Sequence, residues 1–204
     1  MNKLLEHDAS YWGRGETIIA WDEAGFGSLC GSMFVACVHF PINFAVPKTL
    51  EKVNDSKKLS ESLRMSLATE IKKHAQYHII KIDIDQINTG SPYWLRFSEA
   101  KQYIDAGNFS SSAVVIFDGD RSIADISIRS ESLIKGDSKS FSIASASILA
   151  KAAKDEEMIY LDKIYPQYSF ASNKGYGTAE HIGAIKKYGT SPVHRTGYCS
   201  KLVN

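Results

Sequence analysis

The stretch FSIASASILAKAAKDEEMIYLDK, residues 141–163, is the longest helical pattern in the chain and constrains the fold more than any other segment. On a 3.6-residue repeat Ala144, Ile148, Ala152, Asp155 and Ile159 share one face. That face is apolar except for the aspartate, so it predicts packing on a sheet that carries Asp155 inward. A buried carboxylate needs a partner or a metal, because leaving it charged and alone costs several kcal/mol. Pro166 ends the helix, and a shorter helix is expected over Thr178 to Lys187.

The sheet that such a helix requires is legible upstream. Residues 17–24 (TIIAWDEA) and 32–40 (SMFVACVHF) read as two strands around a glycine-rich turn. Residues 77–85 (YHIIKIDID) alternate, and 112–119 (SAVVIFDG) form a short buried strand, with 131–137 (ESLIKGD) a further strand. Ser60 suits the N-cap of a helix whose Leu63, Leu67 and Ile71 share a face, and Pro92 suits the first turn of another over 92–106. Strands come early and alternate with helices later, which predicts an α/β domain with a mixed central sheet. A chain of 204 residues fits one domain with a small C-terminal appendage.

Composition narrows the functional classes. A formal net charge of +1 does not announce a nucleic-acid binder, so any such role must come from local clustering. No apolar stretch approaches the ~20 residues needed to span a bilayer, and MNKLLEHDASYWGRG lacks the apolar centre of a secretion signal. Cys30, Cys37 and Cys199 show neither C-x-x-C nor Cys/His ligand spacing, so a reducing cytoplasm is expected, without disulfides or structural zinc.

Four acids stand out by position. Asp22 and Glu23 end the first strand, Asp118 ends the run Ala113 to Phe117, and Asp155 lies on the inward face of the long helix. Each has an ordinary reading: Asp22 as a turn cap, Asp118 before Gly119 as a strand-to-turn acid, Asp155 paired with Lys151 or another base. Strand ends of an α/β sheet gather at one edge, and an acid on the covering helix can point there. Hard oxygen ligands without Cys or His neighbours favour Mg²⁺ or Mn²⁺, and two such ions suit phosphodiester hydrolysis. Neighbouring strand residues point to opposite faces, so Asp22 and Glu23 share a site only if the strand ends or bends, and Gly25 offers a bend.

In order along the chain, AWDEAGFGSLCGSM, NDSKKLS (54–60), IFDGD, IKGDSKSFSIASASILAKAAKD (134–155), NKGYGTAEH (173–181) and SPVHR (191–195) resemble the motifs of the type 2 ribonucleases H, bacterial ribonuclease HII. The resemblance spans nearly the whole chain. It implies a ribonuclease H-like catalytic domain over residues 1–163, with a helical segment over 164–204 packed on it as one structural unit. It implies metal-dependent endonucleolytic cleavage of the RNA strand of RNA–DNA hybrids and at ribonucleotides embedded in duplex DNA, leaving 5′-phosphate and 3′-hydroxyl ends. Asp22, Glu23, Asp118 and Asp155 would be the catalytic metal ligands for Mg²⁺ or Mn²⁺, with Asp120 the rival for the third acid. The backbone of Gly25, Phe26 and Gly27 would sense the 2′-hydroxyl, and Tyr176 would pack on the adjoining sugar. Ser56, Lys57 and Lys58, with Lys135, Lys174 and Arg195, would meet the substrate backbone, which positions a duplex without reading its sequence. The partner expected is the nucleic acid itself; the protein is expected as a monomer, with no protein partner and no sliding-clamp peptide after Tyr198.

Two segments depart from the family pattern. Gly-Phe-Gly replaces Gly-Arg-Gly at 25–27, removing a guanidinium whose charge-assisted hydrogen bonds are each worth about 1.5–3 kcal/mol. INTGSPYWLRFSEAKQ (87–102) keeps Asn88 but breaks an otherwise Ile/Leu/Ala-rich helix start with Gly90, Ser91 and Pro92. The first departure leaves two other readings: a type 3-like enzyme that needs runs of ribonucleotides, and a non-catalytic module that binds hybrids. The absence of a long extra N-terminal domain weighs against type 3, and the four acids weigh against the module.

Overall fold

The computed structural model describes residues 3–107 and 109–202. Its centre is a five-stranded sheet of β1 (Thr17–Ala24), β2 (Met33–His39), β3 (Gln76–Ile82), β4 (Ala113–Asp118) and β5 (Arg129–Leu133), in the order β3-β2-β1-β4-β5. β1, β2 and β3 form an antiparallel meander, while β4 and β5 run parallel to β1. The helices are α1 (Leu4–Trp12), α2 (Glu61–His74), α3 (Ile84–Thr89), α4 (Pro92–Ala106), α5 (Phe141–Ile164), α6 (Phe170–Asn173), α7 (Ala179–Tyr188) and α8 (Thr196–Cys199). This is the mixed α/β architecture that the strand and helix patterns predict.

Strand alternation divides the core. Ile18 and Ala20 of β1, with Val114 and Ile116 of β4, pack against Ile143 of α5. Ile19 and Trp21 turn the other way, onto Phe97, Ala100 and Ile104 of α4. α5 is buried along most of its length because it crosses β1 and β2 and also carries α2. The C-terminal segment adds a third cluster, in which Tyr168, Phe170 and Ile185 pack on Met158 and Leu161 of α5.

Two expected boundaries move, and one helix appears that the sequence does not announce. The strand predicted to run to residue 85 stops at Ile82, because Asp83 begins α3 with a capping box closed by Gln86. The last strand is Arg129–Leu133 rather than 131–137. Lys135 adopts φ +56°, and the chain turns into a 3-10 turn at Gly136–Ser138. Helix α1, which periodicity in so short a stretch does not announce, packs Leu4 and Trp12 into the core.

Candidate active site

Parallel β1 and β4 place Trp21 opposite Phe117, so the acids that follow emerge at one sheet edge. Asp22 continues the row that faces α5, where Ser147 hydrogen-bonds its carboxylate. Glu23 continues the row that faces α4, where Arg96 Nη1 donates to Glu23 Oε1 at 2.7 Å. The two neighbours therefore keep opposite faces of the strand end, and Asp118 raises the proton affinity of both. Burial pushes the Asp22 carboxyl well above its ordinary value, and the charges of Glu23 and Asp118 add to it. Burial also pushes Glu23 up, against the opposing guanidinium of Arg96.

A fourth acid joins them, and it is not Asp155. The Gly136 N–H donates to Asp118 Oδ1 at 2.6 Å, which folds the turn after β5 back onto β4. A Cβ at Gly136 would lie 2.6 Å from Ile143 Cδ1, so a larger residue would have to displace that side chain for the turn to approach this closely. The next residue, Asp137, is thereby buried beside Asp118; burial and that neighbouring charge push its carboxyl up. Lys57 Nζ stands 3.7 Å from Asp137. Despite the opposing effect of burial, the charges of Asp137 and Asp22 hold Lys57 more firmly protonated.

Asp155 is fully buried, as its helical face predicts, but it points elsewhere. Arg64 of α2 takes Oδ2 (Nη2 at 3.0 Å, Nε at 3.2 Å) and Lys151 takes Oδ1 at 2.5 Å. The expectation that Asp155 joins the other acids as a ligand is corrected on this geometry: both oxygens already carry cationic partners. Asp120 is exposed beyond the strand end.

Beside the acids opens a cleft of about 400 Å³. Glu23 and the Gly25–Gly27 backbone line one side; Ser56, Lys57, Ser147, Lys151 and Tyr176 line the rest. Gly25 has φ +89°, and a Cβ there would sit 3.0 Å from the Ser32 carbonyl oxygen. Ser56 is buried with its hydroxyl 2.9 Å from that of Ser147, so it presents little more than an edge to the cleft. Lys58 pairs loosely with Asp55 at 3.7 Å and Lys135 is exposed; neither lines the cleft.

Two expected phosphate contacts are spent internally. Lys174 pairs with Glu61 at 2.9 Å. Arg195 is fully buried; its Nη1 donates to the Phe26 carbonyl at 3.0 Å and its Nε to that of Gly31 at 2.9 Å. It braces the glycine loop from beneath instead of meeting a ligand. Beside it runs a relay of buried imidazoles. Ser191 N–H donates to His194 Nδ1 at 2.9 Å, which fixes the proton of His194 on Nε2, 3.1 Å from His181 Nε2. His181 Nδ1–H then donates to the Tyr176 carbonyl at 2.9 Å. Cys30 lies with both imidazoles, ligand atoms within 4.8 Å of one another, but burial pushes its thiol up to about 12 and every imidazole nitrogen is engaged.

Sequence reasoning missed Asp137, Ser147, Lys151 and Arg96. Asp137 had a signal, a KGD turn that follows a strand directly. Arg96 had one too, a cation set among aromatic and apolar residues in the segment that departs from the family pattern.

The ribonuclease HII family model matches residues 19–201. A ribonuclease HII of Caldanaerobacter subterraneus subsp. tengcongensis is 44% identical over 190 residues, covering 89% of this chain and 73% of the relative. Among solved structures, the fold is similar to that in the PCNA:RNase HII complex from Archaeoglobus fulgidus (TM-score 0.75, 22% identity, 92% of this chain and 97% of that chain). It is less close to Bst-RNase HIII in complex with Mn²⁺ (TM-score 0.58, 23% identity, 85% of this chain and 63% of that chain).

Proposed function

The chain belongs to the ribonuclease HII family, and from that premise we propose that it cleaves the RNA strand of RNA–DNA hybrids and ribonucleotides embedded in duplex DNA. It is a divalent-metal-dependent phosphodiester hydrolase of the type 2 ribonuclease H class. The cleavage products are 5′-phosphate and 3′-hydroxyl ends.

The observation that carries this reading is the gathering of Asp22, Glu23, Asp118 and Asp137 at the edge of a cleft walled by glycine backbone, Lys57 and Tyr176. The raised carboxyls of Asp22, Glu23 and Asp137 fit a hard cation: such a group is relieved by positive charge, and the donors gathered here are all oxygen. Asp22, Glu23, Asp118 and Asp137 would hold Mg²⁺ or Mn²⁺, two ions during turnover. Bound there, the ions supply Lewis acidity toward the phosphate and toward the attacking water.

The chain's own groups do the rest. The Gly25–Gly27 backbone, free of obstructing side chains at the glycines, meets the ribose and its 2′-hydroxyl. Tyr176 packs on the neighbouring sugar, with Lys151 Nζ 5.7 Å from its ring centre. Lys57 meets a phosphate and offsets the acid cluster. The reading of the C-terminal segment as one unit with the catalytic domain is supported by Tyr168, Phe170 and Ile185, which share an apolar cluster with Met158 and Leu161 of α5. All three cysteines are free and buried, which suits a reducing compartment, and no described helix is long and apolar enough to cross a membrane.

The test is nicking of labelled duplexes carrying one ribonucleotide, a run of ribonucleotides, or a full hybrid, with Mg²⁺, Mn²⁺ or chelator. Cleavage at the single ribonucleotide with metal is expected. Cleavage of the run alone would make the enzyme type 3-like, and cleavage of none would leave a binding module.

A further inference from the structure

At position 26 the backbone and the side chain have separate supports. The Phe26 carbonyl is held from beneath by Arg195 Nη1 at 3.0 Å and by the Tyr198 hydroxyl at 3.3 Å. Its ring, 39% exposed at the lip of the cleft, lies 5.8 Å from the guanidinium of Arg96 on α4. The Arg96 side chain is only 14% exposed, and its guanidinium packs near Phe97 at 4.5 Å and Tyr93 at 5.0 Å. Its Nη1 is anchored to Glu23, while its Nε is buried without a partner among the described residues. A cation in this position favours an aromatic ring above it and repels a second cation.

We propose that Phe26 and Arg96 form one specificity-determining unit. Arg96, anchored on Glu23, holds the Phe26 ring as an apolar platform for a substrate sugar and bars a positive side chain from the loop. The positive charge at this lip stands one layer beneath the loop, on α4. Substrate recognition at the lip thus rests on packing more than on a phosphate contact. Arg96 acts through Phe26 and Glu23, as a positioning residue.

The inference rests on the proposed reading of the cleft as the hybrid-binding site, and a double-mutant cycle separates the two. Phe26→Arg, Arg96→Met and the double variant are compared with wild type on a duplex carrying one ribonucleotide. Binding is read by fluorescence anisotropy on the metal-free protein across a salt series, and KM and kcat with Mg²⁺. Phe26→Arg alone should weaken binding about tenfold and raise KM, because the new guanidinium faces Arg96. In the double variant, binding should return to within about threefold of wild type, with the salt slope steeper by about 0.9 for one added phosphate contact. Arg96→Lys, which keeps a cation opposite Glu23 and beneath the ring, should preserve most of the wild-type KM. Melting temperatures of all variants identify any loss caused by unfolding, and Phe26→Leu, apolar without a ring face, should raise KM without changing the salt slope. Tighter binding by Phe26→Arg alone, or effects that simply multiply in the double variant, would overturn the coupling. Wild-type protein that binds no ribonucleotide-containing duplex would instead overturn the reading of the cleft.

Discussion

Arg64 meets the carboxylate of Asp155 at 3.0 Å in the interior, and the same guanidinium reaches on to the carbonyls of Ser56 at 2.5 Å and Leu59 at 3.1 Å. Lys151 takes the other Asp155 oxygen. One buried acid thus ties α5 to the turn that presents Lys57, and aims Lys151 at the cleft. Asp155 serves the site by holding its walls.

Asp155→Asn should therefore cost stability. Removing one partner of a buried pair leaves the others uncompensated, typically at about 3–5 kcal/mol. Urea or thermal unfolding measures the loss, and Arg64→Met combined with Asp155→Leu should recover much of it, since the two sites couple directly. Wild-type stability in Asp155→Asn together with lost Mn²⁺ binding would return Asp155 to the ligand set.

Asp22 should behave in the opposite sense. Its carboxyl is raised in the folded protein by burial and by Glu23 and Asp118. The folded state therefore binds more protons than the unfolded state from the ordinary carboxylate value of 3.8 upward, and stability falls as pH rises through that window. Asp22→Asn should raise the melting temperature of the metal-free protein at neutral pH, by about 2–4 °C for each kcal/mol relieved, while abolishing turnover. Added Mn²⁺ should stabilise wild type and much less so the variant, as differential scanning fluorimetry would show. A variant that melts lower without metal would mean that Asp22 is not strained by its neighbours.

The histidine relay gives the protein an acid limit. Burial pushes His194 down to about 4, with His181 adding to the effect, and burial lowers His181 in turn. Between pH 6.5 and about 4 the unfolded chain takes up a proton that the folded one refuses, so stability falls as pH falls across that window. Protonation would also set two N–H groups against each other across the 3.1 Å His181–His194 contact, loosening the support of Tyr176. His194→Gln should flatten the decline relative to wild type, although it starts from lower stability. An equally steep decline in the variant would place the acid limit in other groups.

How much of this could be read from the chain depends on what each element owes to its own residues. β1, β4 and α5 carry their signals internally, as apolar runs of strand length and one long periodic helix, and their positions follow from the sequence. β5 (RSESL) is a polar edge strand whose identity comes only from pairing with β4, so its register was displaced. The first three acids were legible because strand ends announce them. Asp137 was not, because its place depends on a left-handed Lys135 and on a glycine N–H finding Asp118 across the fold. Arg195 and Lys174 show a related limit: a cation in a motif reads the same whether it faces a phosphate, a carbonyl or a carboxylate.

That last distinction can be measured. A residue that neutralises a phosphate releases counterions, so removing it lowers the slope of log binding constant against log salt by about 0.9 for a B-form duplex. Lys57, 79% exposed and lining the cleft, should show this loss when changed to alanine, with affinity reduced about evenly across sequences. Arg195→Lys should leave the slope unchanged, because the guanidinium is fully buried against the Phe26 and Gly31 carbonyls and never reaches solvent. Its cost should appear as weaker discrimination between one ribonucleotide and none, since the loop proposed to meet the 2′-hydroxyl loses its brace. Tyr198→Phe, which removes only the hydroxyl bonded to the same Phe26 carbonyl, should shift discrimination in the same direction by less. A reduced salt slope in Arg195→Lys would place that side chain on the substrate after all.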